Sequence, residues 1–122
     1  METHRLVLPE DLNQFGALFG GRLLAWVDEA SWIAASLEFP DCHFVTMAMD
    51  QVVFRHSVRE GTILTISSQR VNLGTTSVTY RVEVSRGPTS RREVIFSTGV
   101  TFVNLDVTGA KCPIKQDQDV RD

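Results

Sequence analysis

The chain has 122 residues, of which 43% are hydrophobic, and this length and composition suit one domain with a sizeable core. Its 12 basic and 15 acidic residues give a net charge of -3, which offers no general positive field for nucleic acid or for an acidic membrane surface. No charged start leads into a short apolar segment, and no apolar run approaches the ~20 residues of a membrane span, so we expect a soluble, cytoplasmic protein.

The predicted elements are one strand, one long helix and four further strands. Residues 3–8 hold a β-favouring run that Pro9 stops, and residues 22–37 are good helix formers with Gly20 and Gly21 just before them. Four β-like stretches follow, at about 43–55, 62–72, 75–86 and 92–105. Because glycine turns join these stretches closely, we predict antiparallel neighbours. The order predicts a single α+β domain over residues 1–106, with the helix packed on an antiparallel sheet of about five strands.

Residues 107–122 are predicted to form a polar C-terminal tail. The stretch from Thr108 onward contains Pro113 and has no periodicity, so we expect it to be mobile or to be ordered only by a partner. Cys42 and Cys112 match no metal or redox spacing and are expected to be free thiols.

The predicted helix is unusually apolar. Between Leu23 and Leu37 its only charged residues are Asp28 and Glu29, so we expect it to be buried nearly all round. A single curved sheet wrapped about a central helix would bury most of it. Such a sheet still leaves part of the helix and the outer edge strand uncovered, which favours a dimer with a continuous sheet.

A carboxylate in an apolar helix needs an ion-pair or hydrogen-bond partner, because burying it alone is costly. Asp28 and Glu29 lie about 100° apart around the helix axis, so only one of them is expected to face a given cleft. Either could instead reach solvent at an edge or bond to a neighbouring strand. Periodicity does not choose between the two acids, although perturbed acids do favour functional sites.

The glycine-containing segment 16–21 leads into the helix. Free backbone amides at a helix start suit a carbonyl oxygen that gains negative charge, although these glycines could also serve tight packing alone. Asn13 adds an amide donor and acceptor, or alternatively a simple turn. Since Asp28 lies about 10 Å from Gly21 along the helix, a site that uses both would be shared between two protomers.

Several common catalytic and cofactor motifs are absent. The sequence has no serine nucleophile elbow, no zinc spacing and no dinucleotide or phosphate loop, so we expect chemistry without metal or cofactor. The three histidines, at positions 4, 43 and 56, are expected to be structural or exposed. Arginines on the later strands and a hydroxyl-rich turn could bind phosphate, or could simply be solvated; they are Arg70, Arg81, Arg86, Arg91 and Arg92, with Gly74, Thr75, Thr76 and Ser77 in the turn.

The segment 13–30, NQFGALFGGRLLAWVDEA, resembles the signature of the acyl-CoA thioesterase branch of the hotdog superfamily, which includes bacterial and cytosolic acyl-CoA hydrolases. The resemblance extends over about residues 5–105 and includes the segments 45–49 and 70–77. Ser57 and the pair Gly61-Thr62 depart from the family pattern in the loop after the second long strand.

The resemblance implies a hotdog fold, with dimers that assemble into tetramers or hexamers, and hydrolysis of an acyl-CoA thioester to free acid and CoA. It makes Asp28 the catalytic carboxylate, as general base or as nucleophile. It further implies that Asn13 positions the water or the thioester, that Gly21 donates its amide to the carbonyl oxygen, and that Thr46 supports the site from the facing strand.

The resemblance also implies a set of substrate-binding residues on the CoA side, namely Gly20, Arg70, Thr75, Thr76 and Ser77. Two other hypotheses stay open. One is a non-catalytic hotdog module that binds or senses acyl-CoA. The other is a hotdog hydratase or dehydratase, which would use a His and Asp pair at the helix, although this helix contains no histidine.

Overall fold

The computed structural model describes residues 1–115 and consists of one long helix on a curved, five-stranded antiparallel sheet. The elements in chain order are β1 (Glu2–Leu6), α1 (Gly20–Glu38), β2 (Phe44–Phe54), β3 (Ile63–Leu73), β4 (Ser77–Arg86) and β5 (Glu93–Asn104). Single 3-10 turns lie at Pro9–Asp11 and Thr89–Arg91. The strand order is β1-β3-β4-β5-β2, and every neighbouring pair is antiparallel. The predicted α+β architecture is therefore confirmed.

The core lies between α1 and the middle of the sheet. Alternate residues of β4 are buried because successive side chains of a strand point to opposite faces. Val78, Tyr80, Val82 and Val84 form one such row and are at most 2% exposed. The helix contributes its own buried face, which consists of Leu23, Trp26, Val27, Ala30, Ala34 and Ala35.

The opposite face of α1 is not covered within one chain. Trp32 is 43% exposed and Leu37 is 69% exposed, although both are large apolar side chains. The expectation that the helix is buried nearly all round is therefore not fulfilled within one chain, because the single sheet leaves these side chains of α1 uncovered. Within residues 1–115, no helix is long and apolar enough to cross a membrane.

Strand β2 lies at one edge of the sheet and pairs only with β5. It is bulged between Asp50 and Val53, where Gln51 adopts a positive φ of 46°. The Asp50 carboxylate accepts a hydrogen bond of 2.8 Å from the Gly99 amide and so fixes the bulge to β5. The exposed side chains of β2 include Val45, Met47, Val52, Val53 and Phe54. An uncovered apolar edge strand of this kind was expected from the sequence.

The helix begins at Gly20, two residues earlier than predicted. The Phe19 carbonyl accepts hydrogen bonds from the amides of Arg22 and Leu23, at 3.0 and 3.1 Å, and these bonds close the first turn. Gly20 and Gly21 therefore lie inside the helix, although glycine is a poor helix former. β1 is also shorter than predicted and ends at Leu6.

The segment after β5 turns back onto the domain. The Asp106 carboxylate accepts hydrogen bonds from Thr108 and Ala110, which tighten the turn and lower the pKa of Asp106. Beyond it, the amide of Cys112 donates to Asn104 and the amide of Ile114 donates to Thr75, at 2.9 and 2.8 Å. The expectation of a segment that is mobile or ordered only by a partner is not met at Cys112 and Ile114, which hydrogen bonds within the chain hold against Asn104 and Thr75. Residues 116–122 lie outside the described part.

A polar cluster closes the C-terminal end of α1. Glu38 is the last residue of the helix, where the helix dipole disfavours a negative charge. Tyr80 donates a hydrogen bond to the Glu38 carboxylate, and Arg70 Nη1 lies 3.5 Å from Glu38 Oε2. The Arg70 guanidinium also stacks over the Phe39 ring at 5.6 Å. Burial, followed by the hydrogen bond to Glu38, raises the pKa of Tyr80.

Tyr80 is expected to stay protonated in the folded protein well above pH ~10, the ordinary range of tyrosine. It is the single tyrosine of the chain, so the ultraviolet absorbance of tyrosinate follows this residue alone. Because only the unfolded state releases this proton near pH ~10, the contribution of Tyr80 to the free energy of unfolding should be constant below that pH and fall above it. Tyr80→Phe should lack this fall. Ionisation of the folded protein at pH ~10 would contradict the expectation.

Candidate functional site

Asn13 organises the loop that precedes α1. Its side-chain oxygen accepts hydrogen bonds from the amides of Phe15 and Ala17, at 2.9 and 3.2 Å, and its own amide donates to the Ala17 carbonyl at 2.7 Å. Gly16 completes this turn with a positive φ of 81°. Asn13 thus has the predicted turn role, while its side-chain nitrogen makes no hydrogen bond within the described residues and can still donate.

Asp11 joins this loop to the helix, and the sequence reasoning missed it. It is 7% exposed, accepts a hydrogen bond of 2.9 Å from the Leu8 amide and lies 3.3 Å from the Arg22 side chain. Its carbonyl oxygen accepts the Phe19 amide at 2.9 Å. The acid directly after Pro9-Glu10 was the available signal, because acidic side chains commonly cap the start of a helical turn.

The first turn of α1 presents free backbone donors. Within residues 1–115 the amides of Gly20 and Gly21 donate to no backbone carbonyl, as expected at a helix start. A Cβ on Gly20 would lie 3.2 Å from the Phe54 ring, and one on Gly21 would lie 3.0 Å from the Phe19 ring. These two glycines therefore lie close to aromatic rings and leave their backbone amides without an acceptor in the described residues.

A pocket of about 320 Å³ opens beside this helix start. Asn13 and Gly20 lie on one side of it and Phe54, Arg55 and His56 lie on the other. Two predicted site residues, Asn13 and Gly20, are thus brought together, and Gly21 follows in the same turn of the helix.

Asp28 lies in the middle of α1 and faces β2. Thr46 Oγ1 donates a hydrogen bond of 2.6 Å to Asp28 Oδ1, and the Asp28 side chain is half-buried. Glu29 instead points toward β1, where it pairs with Arg5, whose guanidinium stacks over Trp26 at 5.2 Å. The two neighbouring acids therefore face different strands, in keeping with their separation of about 100° around the helix axis.

The two groups of predicted residues lie apart in one chain. Asp28 does not line the pocket of Asn13 and Gly20, and Gly20 and Asp28 are separated by about 12 Å along the helix axis. β2 runs alongside the helix in the opposite direction, since Thr46 contacts Asp28 and Phe54 contacts Gly20. The chain thus contains two half-sites at opposite ends of β2.

Apart from Gly20, the predicted CoA-side residues fall near the C-terminal end of α1 and the start of β2. The β3–β4 turn is held by hydrogen bonds of 2.8 Å from the Asn104 amide to the Thr76 carbonyl and from the Gly74 amide to the Ser77 carbonyl. The Thr75 carbonyl accepts a hydrogen bond from the Ile114 amide of the segment after β5, and Arg70 forms an ion pair with Glu38. Arg70 and the turn do not meet the Asn13 pocket within one chain, whereas Gly20 lines it.

A further cavity of about 650 Å³ lies between β1 and the β4–β5 turn, and it contains Arg86, Arg91 and Arg92. Two of these arginines are matched by carboxylates, because Arg86 pairs with Glu93 and Arg92 with Glu2, both at 2.8 Å. These hydrogen bonds lower the pKa of both glutamates. Across residues 1–115 there is no group of three or more His, Cys, Asp or Glu side chains that could hold a metal ion.

Comparison with known proteins places these features in one family. Residues 15–92 match the sequence model described as the Thioesterase superfamily. An uncharacterized acyl-CoA thioester hydrolase of Bacillus subtilis is 31% identical over 112 residues, which are 88% of this chain and 63% of that protein. An uncharacterized acyl-CoA thioester hydrolase of Zymomonas mobilis is 30% identical over 111 residues, which are 89% of this chain and 74% of that protein. The human cytosolic acyl coenzyme A thioester hydrolase is 28% identical over 115 residues, and the chain spans only 30% of its length.

Solved structures confirm the hotdog fold. The acyl-CoA hydrolase of Staphylococcus aureus, in complex with butyryl coenzyme A, coenzyme A and coenzyme A disulfide, has a TM-score of 0.86 and 27% identity, with 95% of this chain and 71% of that chain covered. A hexameric hotdog fold thioesterase of Campylobacter jejuni has a TM-score of 0.79 and 35% identity, with 93% and 88% covered.

Asn13→Ala is expected to lower the free energy of unfolding by about 1 kcal/mol, because the amides of Phe15 and Ala17 lose their acceptor. Asn13→Asp keeps an oxygen at the same position and should stay within about 0.5 kcal/mol of the original protein. Urea unfolding of the three proteins measures both effects. An equal loss in the two variants would show that the side-chain oxygen does not hold this loop.

Proposed function

The chain belongs to the Thioesterase superfamily, and we propose that it hydrolyses an acyl-CoA thioester to a free carboxylic acid and CoA. The observation that carries this proposal is the half-buried Asp28 carboxylate, which Thr46 holds through one oxygen at the uncovered edge of the sheet. A carboxylate fixed in this way keeps its second oxygen for a water molecule or a thioester carbonyl. The names of the relatives support acyl-CoA as the substrate.

A spacing shared with a solved relative supports the choice of residues. Alanine variants of the S. aureus hydrolase exist at an asparagine, an aspartate and a threonine, the first of them in complex with coenzyme A. That asparagine and aspartate are fifteen positions apart, as are Asn13 and Asp28. The threonine follows its aspartate by seventeen positions, whereas Thr46 follows Asp28 by eighteen. We infer that Asn13, Asp28 and Thr46 have the corresponding places.

The geometry of β2 favours a site shared by two copies. Thr46 and Phe54 are equally far from Asp50 along the strand, and both side chains contact α1. If two copies pair their β2 edges antiparallel about a twofold axis near Asp50, Thr46 of one copy lies opposite Phe54 of the other. This pairing brings Asp28 of one copy toward the Gly20 helix start of the second. It also covers the exposed apolar edge of β2.

In the shared site each residue has a distinct role. Asp28 takes a proton from water, or attacks the thioester carbonyl itself, and Thr46 keeps the carboxylate oriented. The carbonyl oxygen gains negative charge as the tetrahedral intermediate forms, and the Gly21 amide and the Asn13 side-chain nitrogen of the second copy donate to it. Collapse of the intermediate breaks the carbon–sulfur bond. When Asp28 acts as general base, the departing thiolate takes up the proton that Asp28 removed from water, and the free acid and CoA leave. When Asp28 attacks the carbonyl, the collapse leaves a mixed anhydride on Asp28, and a water molecule then cleaves it, releasing the free acid and supplying the proton of the thiol.

The substrate's CoA portion is proposed to contact the helix start at Gly20 and the turn from Thr75 through Thr76 to Ser77. Of these, Gly20 belongs to the copy that supplies Asn13. The turn and Arg70 lie toward the Asp28 end of the sheet. Arg70 would have to break its ion pair with Glu38 before it could bind a phosphate. These assignments rest on proximity in the fold and on the family resemblance.

We further propose that the β2-paired dimer is the minimal unit and that dimers assemble into a hexamer. The Campylobacter jejuni and Yersinia pestis thioesterases are hexameric and cover 93% of this chain at TM-scores of 0.79 and 0.85. A cytoplasmic location is proposed from the human relative, which is described as cytosolic. The chemistry outlined above needs no cofactor.

Asp28→Asn should reduce the release of CoA thiol from acyl-CoA by about 10²–10⁴-fold, the usual contribution of an acid–base group. The matched control is Glu29→Gln, which changes the adjacent acid on the Arg5 side and should keep activity within about twofold. Unchanged thermal unfolding of Asp28→Asn shows that its fold is intact. Full turnover in that variant would refute the assignment, and tight acyl-CoA binding without thiol release from the original protein would favour a sensor.

A further inference from the structure

An apolar cavity of about 470 Å³ lies beside the C-terminal half of α1. Trp32 and Ser36 contribute from the helix, Phe44 and Val45 from β2, and Cys42 and Leu105 from the adjoining loops. Its size is in the range of small-molecule sites, which are mostly apolar with few polar groups. None of the residues assigned to catalysis lines it.

The cavity is continuous with the catalytic side of the helix. Asp28, Trp32 and Ser36 follow one another at intervals of four residues, so their side chains lie along the same face of α1. Strand β2 connects the same two places. Thr46 donates a hydrogen bond to Asp28, and the two residues before it, Val45 and Phe44, line the cavity. A molecule that extends from Asp28 along this face therefore reaches the cavity after one helical turn.

Two details define the walls of the cavity. Trp32 Nε1 donates a hydrogen bond of 3.0 Å to the Phe44 carbonyl, and this bond fixes the indole between α1 and β2. Ser36 Oγ is buried and is without a hydrogen-bond partner in the described residues. Ser31, by contrast, bonds to the Val27 carbonyl at 2.8 Å, as buried helical serines commonly do. Because Ser36 is among the residues that line the cavity, a much larger side chain at this position would intrude on it.

On the basis of the proposed hydrolase activity, we propose that this cavity holds the distal part of a linear acyl chain, with Trp32 as its side wall and Ser36 at its far end. Eight helical residues from Asp28 to Ser36 span about 12 Å. An extended chain advances about 1.2 Å per bond, as three backbone bonds cover about 3.5 Å. About ten bonds thus fill the distance, so the preferred substrates are medium-chain acyl-CoAs of eight to twelve carbons.

The length dependence of hydrolysis tests the cavity directly. For linear acyl-CoAs, kcat/KM should rise about fourfold per methylene until the chain reaches Ser36, and then level off. Ser36→Phe fills the far end, so it should lower kcat/KM for decanoyl-CoA at least about tenfold and leave that for butyryl-CoA within about twofold. Ser90→Phe is the matched control, because it adds the same ring at an exposed turn that does not line the cavity, and it should keep the original profile. Equal loss for both substrates in Ser36→Phe, or no loss for either, would overturn the proposal.

A second measurement does not depend on turnover. Cys42 lines the cavity and Cys112 does not, so both thiols can be followed by alkylation and mass spectrometry in the same Asp28→Asn protein. Decanoyl-CoA should slow the alkylation of Cys42 at least about fivefold relative to CoA alone, and Cys112 should be unaffected. Protection without thiol release from the original protein would refute the hydrolase and keep the cavity. Thiol release with no protection of Cys42 would keep the hydrolase and refute the cavity, whose occupant would then be a side chain of the second copy.

Discussion

A single five-stranded sheet can cover only one side of a helix, and α1 is apolar on more than one side. This limit explains why Trp32 and Leu37 remain exposed in one chain and why β2 ends the sheet as a bulged, apolar edge. An edge of this kind carries unpaired backbone groups and is a ready surface for a second strand. Completion of the core and completion of the proposed active site therefore depend on the same contact between two copies.

The hydrogen bond between Thr46 and Asp28 links that edge to the chemistry. It ties the middle of the helix to β2, so any element that pairs with β2 comes close to the carboxylate. At the other end of the strand, Phe54 packs against Gly20 and marks the helix start whose amides are free. The distance between the two ends of β2 keeps the half-sites apart in one chain, and the proposed twofold pairing of β2 would bring half-sites of two copies together.

Much of the fold could be predicted from local patterns. β-like stretches separated by glycine turn signals placed the four later strands to within two residues of their observed ends. The helix start was missed since Gly20 and Gly21 have low helix propensity, while the structure requires small residues beneath the Phe54 and Phe19 rings. The helical period could not show which of Asp28 and Glu29 faces the site, because their partners Thr46 and Arg5 lie on two different strands.

Contacts between distant residues were the ones that local patterns could not supply. Arg70 meets Glu38, and Ile114 meets Thr75, only after the sheet has formed. Asp11 likewise gains its ion pair with Arg22 only once the loop packs against the start of α1. For the site itself, the sequence indicated the individual residues, and the structure adds that they form two separate half-sites.

The central claim is that each active site takes Asp28 from one copy and Asn13 from another, and complementation between two inactive variants tests it most directly. Asp28→Asn and Asn13→Ala are unfolded together at equal amounts, refolded, and assayed for release of CoA thiol. Half of the resulting dimers contain one variant of each kind and hold one intact site, so about one quarter of the original activity should return. If the mixture stays as inactive as either variant alone, while mixed dimers are present by mass, both residues act within one chain and the shared site is wrong.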